Sequence, residues 1–431
     1  MDVLSTGIRA FGASSTETCQ AKGPRRTLNA HIGGWKILMS TSSTATLPEA
    51  PAPAPAARAH TLPAWVYGHK ELTRLELQRV LLPSWQIVCH VNSIPNAGDY
   101  QTLDLGPESA IVLRDRDGSI RAFHNVCRHR GARLLDGAGS CPASIITCPY
   151  HGWTYRQDGG LIGMPVRESF PGLDRGEHSL RPVRVETAFG FVFVCFAGDP
   201  PPPSETFGHL AKRLSVYRIE EMVPLGPITQ EIWPVDWKVA MDNYLESYHV
   251  PVGHPGLYRM FTPDYQDQES LPGGIAAGTS WMREQESPRW SERMYQRLVA
   301  QAATHLPEEV RRCWRFFSAL PNLGIDVLPD QMDFFQLLPD GPGRVIVRGG
   351  VFGLPDSRRE TRVVRYLSGR INRAVNDEDR WLCTRVQRGL ASSSYQPGPL
   401  SELERWMLEF HNLLRARIPE FKLPSPPQQF A

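Results

Sequence analysis

Two pairs of cysteine and histidine stand close together in this chain: Cys127-Arg128-His129 and, after eighteen residues, Cys148-Pro149-Tyr150-His151. Two thiolates and two imidazoles make a four-ligand set. A structural zinc ion could take them, but zinc pairs usually leave two to four residues between ligands, whereas Cys-x-His leaves one. The set suits a [2Fe–2S] cluster with thiolates on one iron and imidazoles on the other, the neutral rings removing negative charge and raising the reduction potential. Gly131 and Gly152 follow the pairs and allow tight loops. About a hundred residues on, His249 and His254 stand five apart, with Glu246 three residues before the first. On one continuous helix i and i+5 diverge. Pro251 and Gly253 predict a helix end near His249, so that a turn carries His254 back to a shared centre. Glu246 is expected on the same helical face as His249. Two imidazoles and one carboxylate would leave open positions on Fe(II) for O2.

The third ligand must come from elsewhere. A helix is predicted from about Arg365 to Leu390, with Ile371, Val375, Leu382, Val386 and Leu390 on one apolar stripe. Asp377 points away from that stripe, while Glu378 and Asp379 fall on its borders. A carboxylate on a largely buried face needs a partner, and a metal is one. A solvated helix face or a salt bridge is the other reading.

The elements that must position these groups divide the chain. A helix is predicted over Trp65–Leu82, stopped by Pro83. Short alternating segments follow at Trp85–His90, Tyr100–Leu105, Ala110–Arg114 and Ile120–His124, with Asp117-Gly118 as a two-residue hairpin signal. These place a small antiparallel β domain over 85–198, after an N-terminal helical segment over 61–84. Asp199 and four prolines open a stiff linker over 199–224. The remainder, 225–431, mixes longer helices with paired strands at Met332–Leu338 and Arg344–Phe352, and a last helix at Ser401–Arg417. The polar stretch 262–312 reads as an insertion or lid. The fold class expected is α+β.

Bulk properties exclude several functions. A net charge of +2 points to neither nucleic acid nor a membrane surface. The longest strongly apolar run, Phe189–Ala197, is too short to span a bilayer. Eight cysteines without close pairing do not form a secreted disulfide framework, and a reducing, cytoplasmic location fits them. Cys19, Cys89, Cys141, Cys195, Cys313 and Cys383 read as bystanders. No stretch has the strand–turn–helix setting of a dinucleotide or flavin site, Gly349-Gly350 included. Residues 1–60, ending in a Pro/Ala tract, read as disordered. The basic stretch 1–38 is either an organelle transit peptide, which would move the protein to a stroma or matrix, or an upstream extension before a natural start at Met39.

Cys127-Arg-His129-Arg-Gly131 and Cys148-Pro-Tyr-His151-Gly152-Trp153 closely resemble the Rieske fingerprint of ring-hydroxylating oxygenases, and the resemblance runs from about Trp65 to Pro419. It implies a Rieske domain followed by a helix-grip catalytic domain around a mononuclear Fe(II). The ligands implied are Cys127, His129, Cys148 and His151 for the cluster, and His249, His254 and Asp379 for the single iron, since the family's distal acid sits in a Glu-Asp pair like Glu378-Asp379. It further implies a head-to-tail homotrimer in which Glu246 bridges His249 and the His151 of a neighbouring copy. Electrons would come from an NADH-dependent flavin reductase, with or without a ferredoxin. Glu at position 246 and the run Asp242-Asn243-Tyr244-x-Glu246 are similar to the branch acting on quaternary amines such as carnitine, choline and betaine, where Tyr244 and Asn243 would meet substrate. Hydroxylation or dihydroxylation of an aromatic acid is the alternative. A Rieske electron carrier with a ligand-binding domain, or a zinc-stabilised binding protein, are the non-oxygenase readings.

Overall fold

The computed structural model describes residues 59–141, 143, 145–262 and 269–430, which belong to one compact unit, Ala56–Ala431. The expectations for residues 1–58 lie outside the described residues. Ala59 and His60, assigned to the disordered extension from sequence, instead pair with the Pro399–Leu400 segment. The N-terminal helix starts later than expected. Gly68, at φ +101°, breaks the chain after Trp65, so α1 runs over Lys70–Glu76 and one wider turn, Leu77–Leu81, carries it to Pro83.

Strands β1 (Gln86–His90), β2 (Asp99–Leu105), β3 (Glu108–Arg114) and β4 (Ile120–His124) lie where the alternation places them. Then come β5 (Ala138–Ser140), β6 (Ile145–Thr147), β7 (Thr154–Arg156), β8 (Leu161–Gly163), β9 (Arg184–Ala188) and β10 (Phe191–Cys195). They build three small sheets, in the orders β4-β3-β2-β5, β6-β7-β8 and β1-β10-β9. The β3–β4 hairpin forms, but not through a two-residue turn. Pairing stops at Arg114↔Ile120, and the Asp115 N–H donates to the Ser119 carbonyl. The Asp117 carboxylate accepts from the Ser119 N–H and hydroxyl, which stabilises this wider loop.

The proline-led segment after Asp199 is more than a linker. Its short helices α2 (Pro203–Thr206) and α3 (Ala211–Leu214) help bury Phe207, Leu210, Leu214 and Tyr217 against Phe191 and Phe193 of β10 and Phe317 and Val327 further on. Next come β11 (Val223–Pro224), β12 (Thr229–Trp233) and three helices, α4 (Trp237–Tyr244), α5 (Val250–Gly253) and α6 (Pro255–Met260). They are followed by β13 (Glu269–Leu271), β14 (Ile275–Trp281), α7 (Trp290–Ala302), β15 (Cys313–Ala319), β16 (Leu323–Val327), β17 (Met332–Pro339) and β18 (Val345–Gly353). The chain ends in the long helix α8 (Arg359–Leu390) and α9 (Arg405–Arg417). One antiparallel sheet orders β11-β18-β17-β16-β15-β14-β13, and β12 also pairs with β18.

The described part of the stretch 262–312, residues 269–312, is therefore integral to the fold and not a lid. Strand β14 pairs with β15 along its whole length, and Tyr295 and Val299 of α7 pack on Val364, Leu367 and Ile371 of α8. Its signal is weak because β14 fills buried positions with Ala276, Ala277 and Ser280, small side chains with little hydropathy. Helix α8 begins six residues before the expected Arg365, and α9 begins after a capping box formed by Ser401 and Glu404. Among the described residues, no helix is long and apolar enough to cross a membrane.

Helix α4 sets the position of the second histidine pair, and buried charge holds it. Lys238 Nζ lies 2.6 Å from both Glu76 Oε1 of α1 and Asp236 Oδ1, with all three side chains essentially inaccessible. Trp237 Nε1 donates to Glu76 Oε2 at 2.7 Å, and the Asp236 N–H donates to Gln387 of α8. Replacing Lys238 by Met would leave two buried carboxylates without a counter-charge. Urea unfolding of Lys238→Met is expected to show a loss of about 3 kcal/mol or more.

Candidate metal centres

The two Cys/His loops have the same backbone design. The Cys127 N–H donates to the Ala132 carbonyl and the Gly131 N–H donates back to Cys127. The Cys148 N–H donates to the Trp153 carbonyl and the Gly152 N–H donates back to Cys148. Each loop closes through its glycine at positive φ, +73° and +67°, where a side chain would be strained. One loop joins β4 to β5 and the other is the tip of the β6–β7 hairpin, so small sheets hold both.

Between the loops, the four ligands form two pairs rather than one point. The Cys127 and Cys148 thiols interact with each other, and the His129 and His151 ring centroids lie 4.7 Å apart. Trp153 stacks on His129 at 4.9 Å, and Tyr155 places its hydroxyl 3.2 Å from Cys127 Sγ. Burial raises the Cys127 thiol above its ordinary value, opposed by the Tyr155 hydrogen bond. Burial also lowers His129, helped by the charges of His151 and Arg130. His129 Nδ1 is buried with no hydrogen-bond partner, as a ligand atom would be. A single zinc ion needs four donors around one centre. This split arrangement fits a two-iron cluster instead. The other described cysteines, Cys89, Cys141, Cys195, Cys313 and Cys383, are free and buried.

The second site converges tightly. His249 Nε2 and His254 Nε2 are 3.0 Å apart, and Asp379 Oδ1 lies 2.9 Å from His254 Nε2 and 3.7 Å from His249 Nε2. Among the described residues this is the one group of three His, Cys, Asp or Glu side chains with all donors within 4.8 Å. The chain reaches it by breaking helices. Helix α4 stops at Tyr244, His249 begins α5, and His254 begins α6. Glu246 is thus on a turn and not, as the sequence predicts, on a helix shared with His249. It still meets that residue, accepting from the His249 N–H at 3.0 Å and pairing with its Nδ1. Gly253 leaves room at the site: a Cβ there would sit 2.8 Å from the Leu382 side chain and 3.2 Å from the His249 ring and would press on both.

Carboxylates orient both rings. Glu246 takes His249 Nδ1, and Glu378 Oε2 takes His254 Nδ1 at 2.9 Å. Each Nδ1 then carries the proton, and both Nε2 lone pairs face the same space, an arrangement that calls for a shared cation. Burial would lower the His254 pKa, but hydrogen bonds and charge from Asp379 and Glu378 outweigh it and leave it raised. Glu378 was visible in sequence as the neighbour of Asp379, yet its role needed the fold. Asn243 and Tyr244, expected to meet substrate, spend polar atoms on the protein. Asn243 Nδ2 donates to Asp379 Oδ1 at 2.6 Å, and the Tyr244 hydroxyl bonds the Phe317 carbonyl and, at 2.8 Å, Asp326 Oδ1.

A family model described as Rieske [2Fe-2S] domain matches residues 84–175, and one described as ring hydroxylating alpha subunit (catalytic domain) matches residues 220–420. The glycine betaine monooxygenase oxygenase subunit of Chromohalobacter salexigens is 31% identical over 374 residues, covering 79% of this chain and 82% of the relative. This chain belongs to the Rieske ring-hydroxylating oxygenase α subunits. Chloroplastic choline monooxygenase of Arabidopsis thaliana is also 31% identical over 374 residues, covering 84% of this chain and 83% of its own. The quaternary ammonium Rieske monooxygenase CntA has the same fold, with a TM-score of 0.71 and 24% identity over 84% of this chain and 96% of that one. The Rieske oxygenase described here is accordingly an O2-dependent oxidoreductase with a [2Fe–2S] cluster and a mononuclear iron. Subunits of this kind act with reductase partners on small molecules.

If Glu378 orients His254 for the metal, Glu378→Ala should weaken iron binding at the second site about 10–100-fold. Its visible cluster spectrum should not change. Iron titration with a chromophoric chelator, alongside the absorption spectrum, measures both.

Proposed function

We propose that this oxygenase hydroxylates or N-demethylates a quaternary or N-methylated amine. The observation that carries the oxygenase chemistry is the convergence of His249, His254 and Asp379 on one centre, with both Nδ1 atoms taken by carboxylates. The names of the betaine and choline relatives support the substrate class. In this reading Cys127, His129, Cys148 and His151 hold the cluster, and His249, His254 and Asp379 hold the iron. When bound, the two groups supply single electrons and O2-dependent oxidation, respectively.

The chain's own residues do the rest. Glu246 and Glu378 fix the tautomer and direction of the ligand rings, and Asn243 fixes the Asp379 carboxylate. Glu246 links its own His249 to the His151 of a neighbouring copy in a head-to-tail trimer. Exposed side chains at both ends support such docking: Tyr150 with Arg130 stacked over it beside His151, and Tyr248 and Val252 beside His249. The electron donor is an NADH-dependent flavin reductase, alone or with a ferredoxin. The location is cytoplasmic, or an organelle stroma if residues 1–38 are a transit peptide, which the chloroplastic relative supports.

Oxidation of an N-methyl group gives an N-hydroxymethyl group, which breaks its C–N bond to release formaldehyde and leave an amine one methyl lighter. A single-turnover assay tests this without a reductase. Chemically reduced, iron-loaded protein is mixed with O2 and a panel of betaines, carnitine, choline, N-methyl amines and aromatic acids. The expected result is an oxidised or demethylated amine. Turnover of aromatic acids alone would refute the amine reading. Glu246→Gln should keep both iron groups yet lose multiple turnover with a reductase, and unimpaired turnover would remove the proposed bridge.

A further inference from the structure

The wall facing the second metal centre carries two acids that the roles above do not use. Asp326 of β16 and Asp333 of β17 are direct cross-strand partners. Alternation puts them on the sheet face opposite the Phe317, Val327 and Phe334 core, the face covered by α4 and α8. The Tyr244 hydroxyl reaches Asp326 at 2.8 Å, and Asn372 Nδ2 of α8 reaches Asp333 Oδ2 at 3.3 Å. Asn372 lies seven residues before Asp379 and shares its helical face, so the pair sits about 10 Å along the helix from the metal ligand.

These carboxylates are deep, and neither is offset. Among the described residues no arginine, lysine or histidine forms an ion pair with Asp326 or Asp333. Burial pushes Asp326 up to about 7, the Tyr244 hydrogen bond opposing it and the Asp379 charge adding to it. Burial, then the charges of Asp326 and Asp330, raise Asp333 well above the usual range. Yet both side chains remain partly accessible, so they border open space rather than packed core. Ser318, on the same sheet face, is 2% exposed and its Oγ has no hydrogen-bond partner. It flanks the Phe317 carbonyl that Tyr244 bonds, and its strand neighbour Phe316 is paired with Asp326. Two adjacent carboxyls with no cationic partner, on the same face as an unpaired buried hydroxyl, call for a cationic or polar occupant that would draw the carboxyls into their charged form.

The donor set selects an organic cation over a metal. Asp326 and Asp333 do not belong to any group of three metal-type donors among the described residues. Apolar surface surrounds them instead: Phe335 meets the Tyr244 ring edge-to-face at 4.4 Å, and Phe316 stands opposite Asp326. A methylated ammonium group, which is charged but cannot coordinate and has an apolar outer shell, matches carboxylates set among aromatic rings.

We propose that Asp326 and Asp333 are specificity-determining residues that recognise the cationic nitrogen of the substrate by charge. This rests on the amine reading and assigns its recognition to an acid pair rather than to an aromatic cage. Tyr244 positions Asp326, and Asn372 positions Asp333.

Calorimetric binding to iron-loaded, anaerobic protein tests it, with choline as the cationic probe and 3,3-dimethylbutan-1-ol as its neutral isostere. Wild type is expected to prefer choline. Asp326→Asn and Asp333→Asn are each expected to weaken choline binding about thirtyfold or more, while the neutral isostere changes by about twofold or less. Equal losses for both probes would show a structural defect and overturn the assignment. Unchanged choline binding in both variants would overturn it too, with the amine reading intact. Wild-type protein that binds the isostere as well as choline would overturn the amine reading and this inference together.

Discussion

Two imidazole Nε2 atoms 3.0 Å apart, turned lone pair to lone pair because carboxylates hold the proton on each Nδ1 behind them, repel unless a cation sits between them. The catalytic half of the molecule is arranged to hold that geometry. Helix α4 must stop at Tyr244 so that Glu246 can cap His249, and α5 must stop at Gly253 so that His254 can turn back. A side chain at position 253 would press on the Leu382 side chain of α8 and on the His249 ring. The long α8 then brings Glu378 and Asp379 to opposite edges of the same His254 ring. Rigid support at the N-terminal end of α4, from Glu76 and Gln387, helps preorganise the ring positions before metal arrives.

Negative charge dominates this region. Glu246, Glu378 and Asp379 surround the histidines, and Asp326 and Asp333 line the wall beyond. A bound dication offsets the first group. The second group stands on β16 and β17, beside Asn372 of α8, and under the proposed reading that separation would let a metal and a cationic substrate sit side by side. The cluster loops contrast with it. There Arg130 lies near the histidines, Trp153 and Phe170 pack on the His129 ring, and the Tyr155 hydroxyl reaches Cys127 Sγ.

Much of this was legible because metal chemistry constrains spacing locally. The Cys-x-His and Cys-x-x-His pairs each lie within one loop, so their residues and glycines could be read directly. His249, His254 and Asp379 were also legible as candidates, the last through resemblance because helix periodicity alone left Glu378 and Asp379 equal, and the fold brings the three together. What periodicity could not show was which atom of each residue faces which partner. Hence Glu378 behind His254, and Asn243 behind Asp379, emerged only in three dimensions. The stretch 262–312 was misread because β14 buries small residues, and the Asp326–Asp333 pair was invisible because strand register joins positions that sequence leaves apart.

The central claim is that one chain carries a two-iron cluster and a separate mononuclear centre built on His249, His254 and Asp379. Metal and sulfide quantification after anaerobic reconstitution tests it most directly, comparing wild type with Asp379→Ala. The account predicts about three irons and about two sulfides per wild-type chain. The variant should lose about one iron and keep its sulfide and its visible spectrum. Loss of the coloured cluster in the variant, or an iron content unchanged by the substitution, would contradict the account.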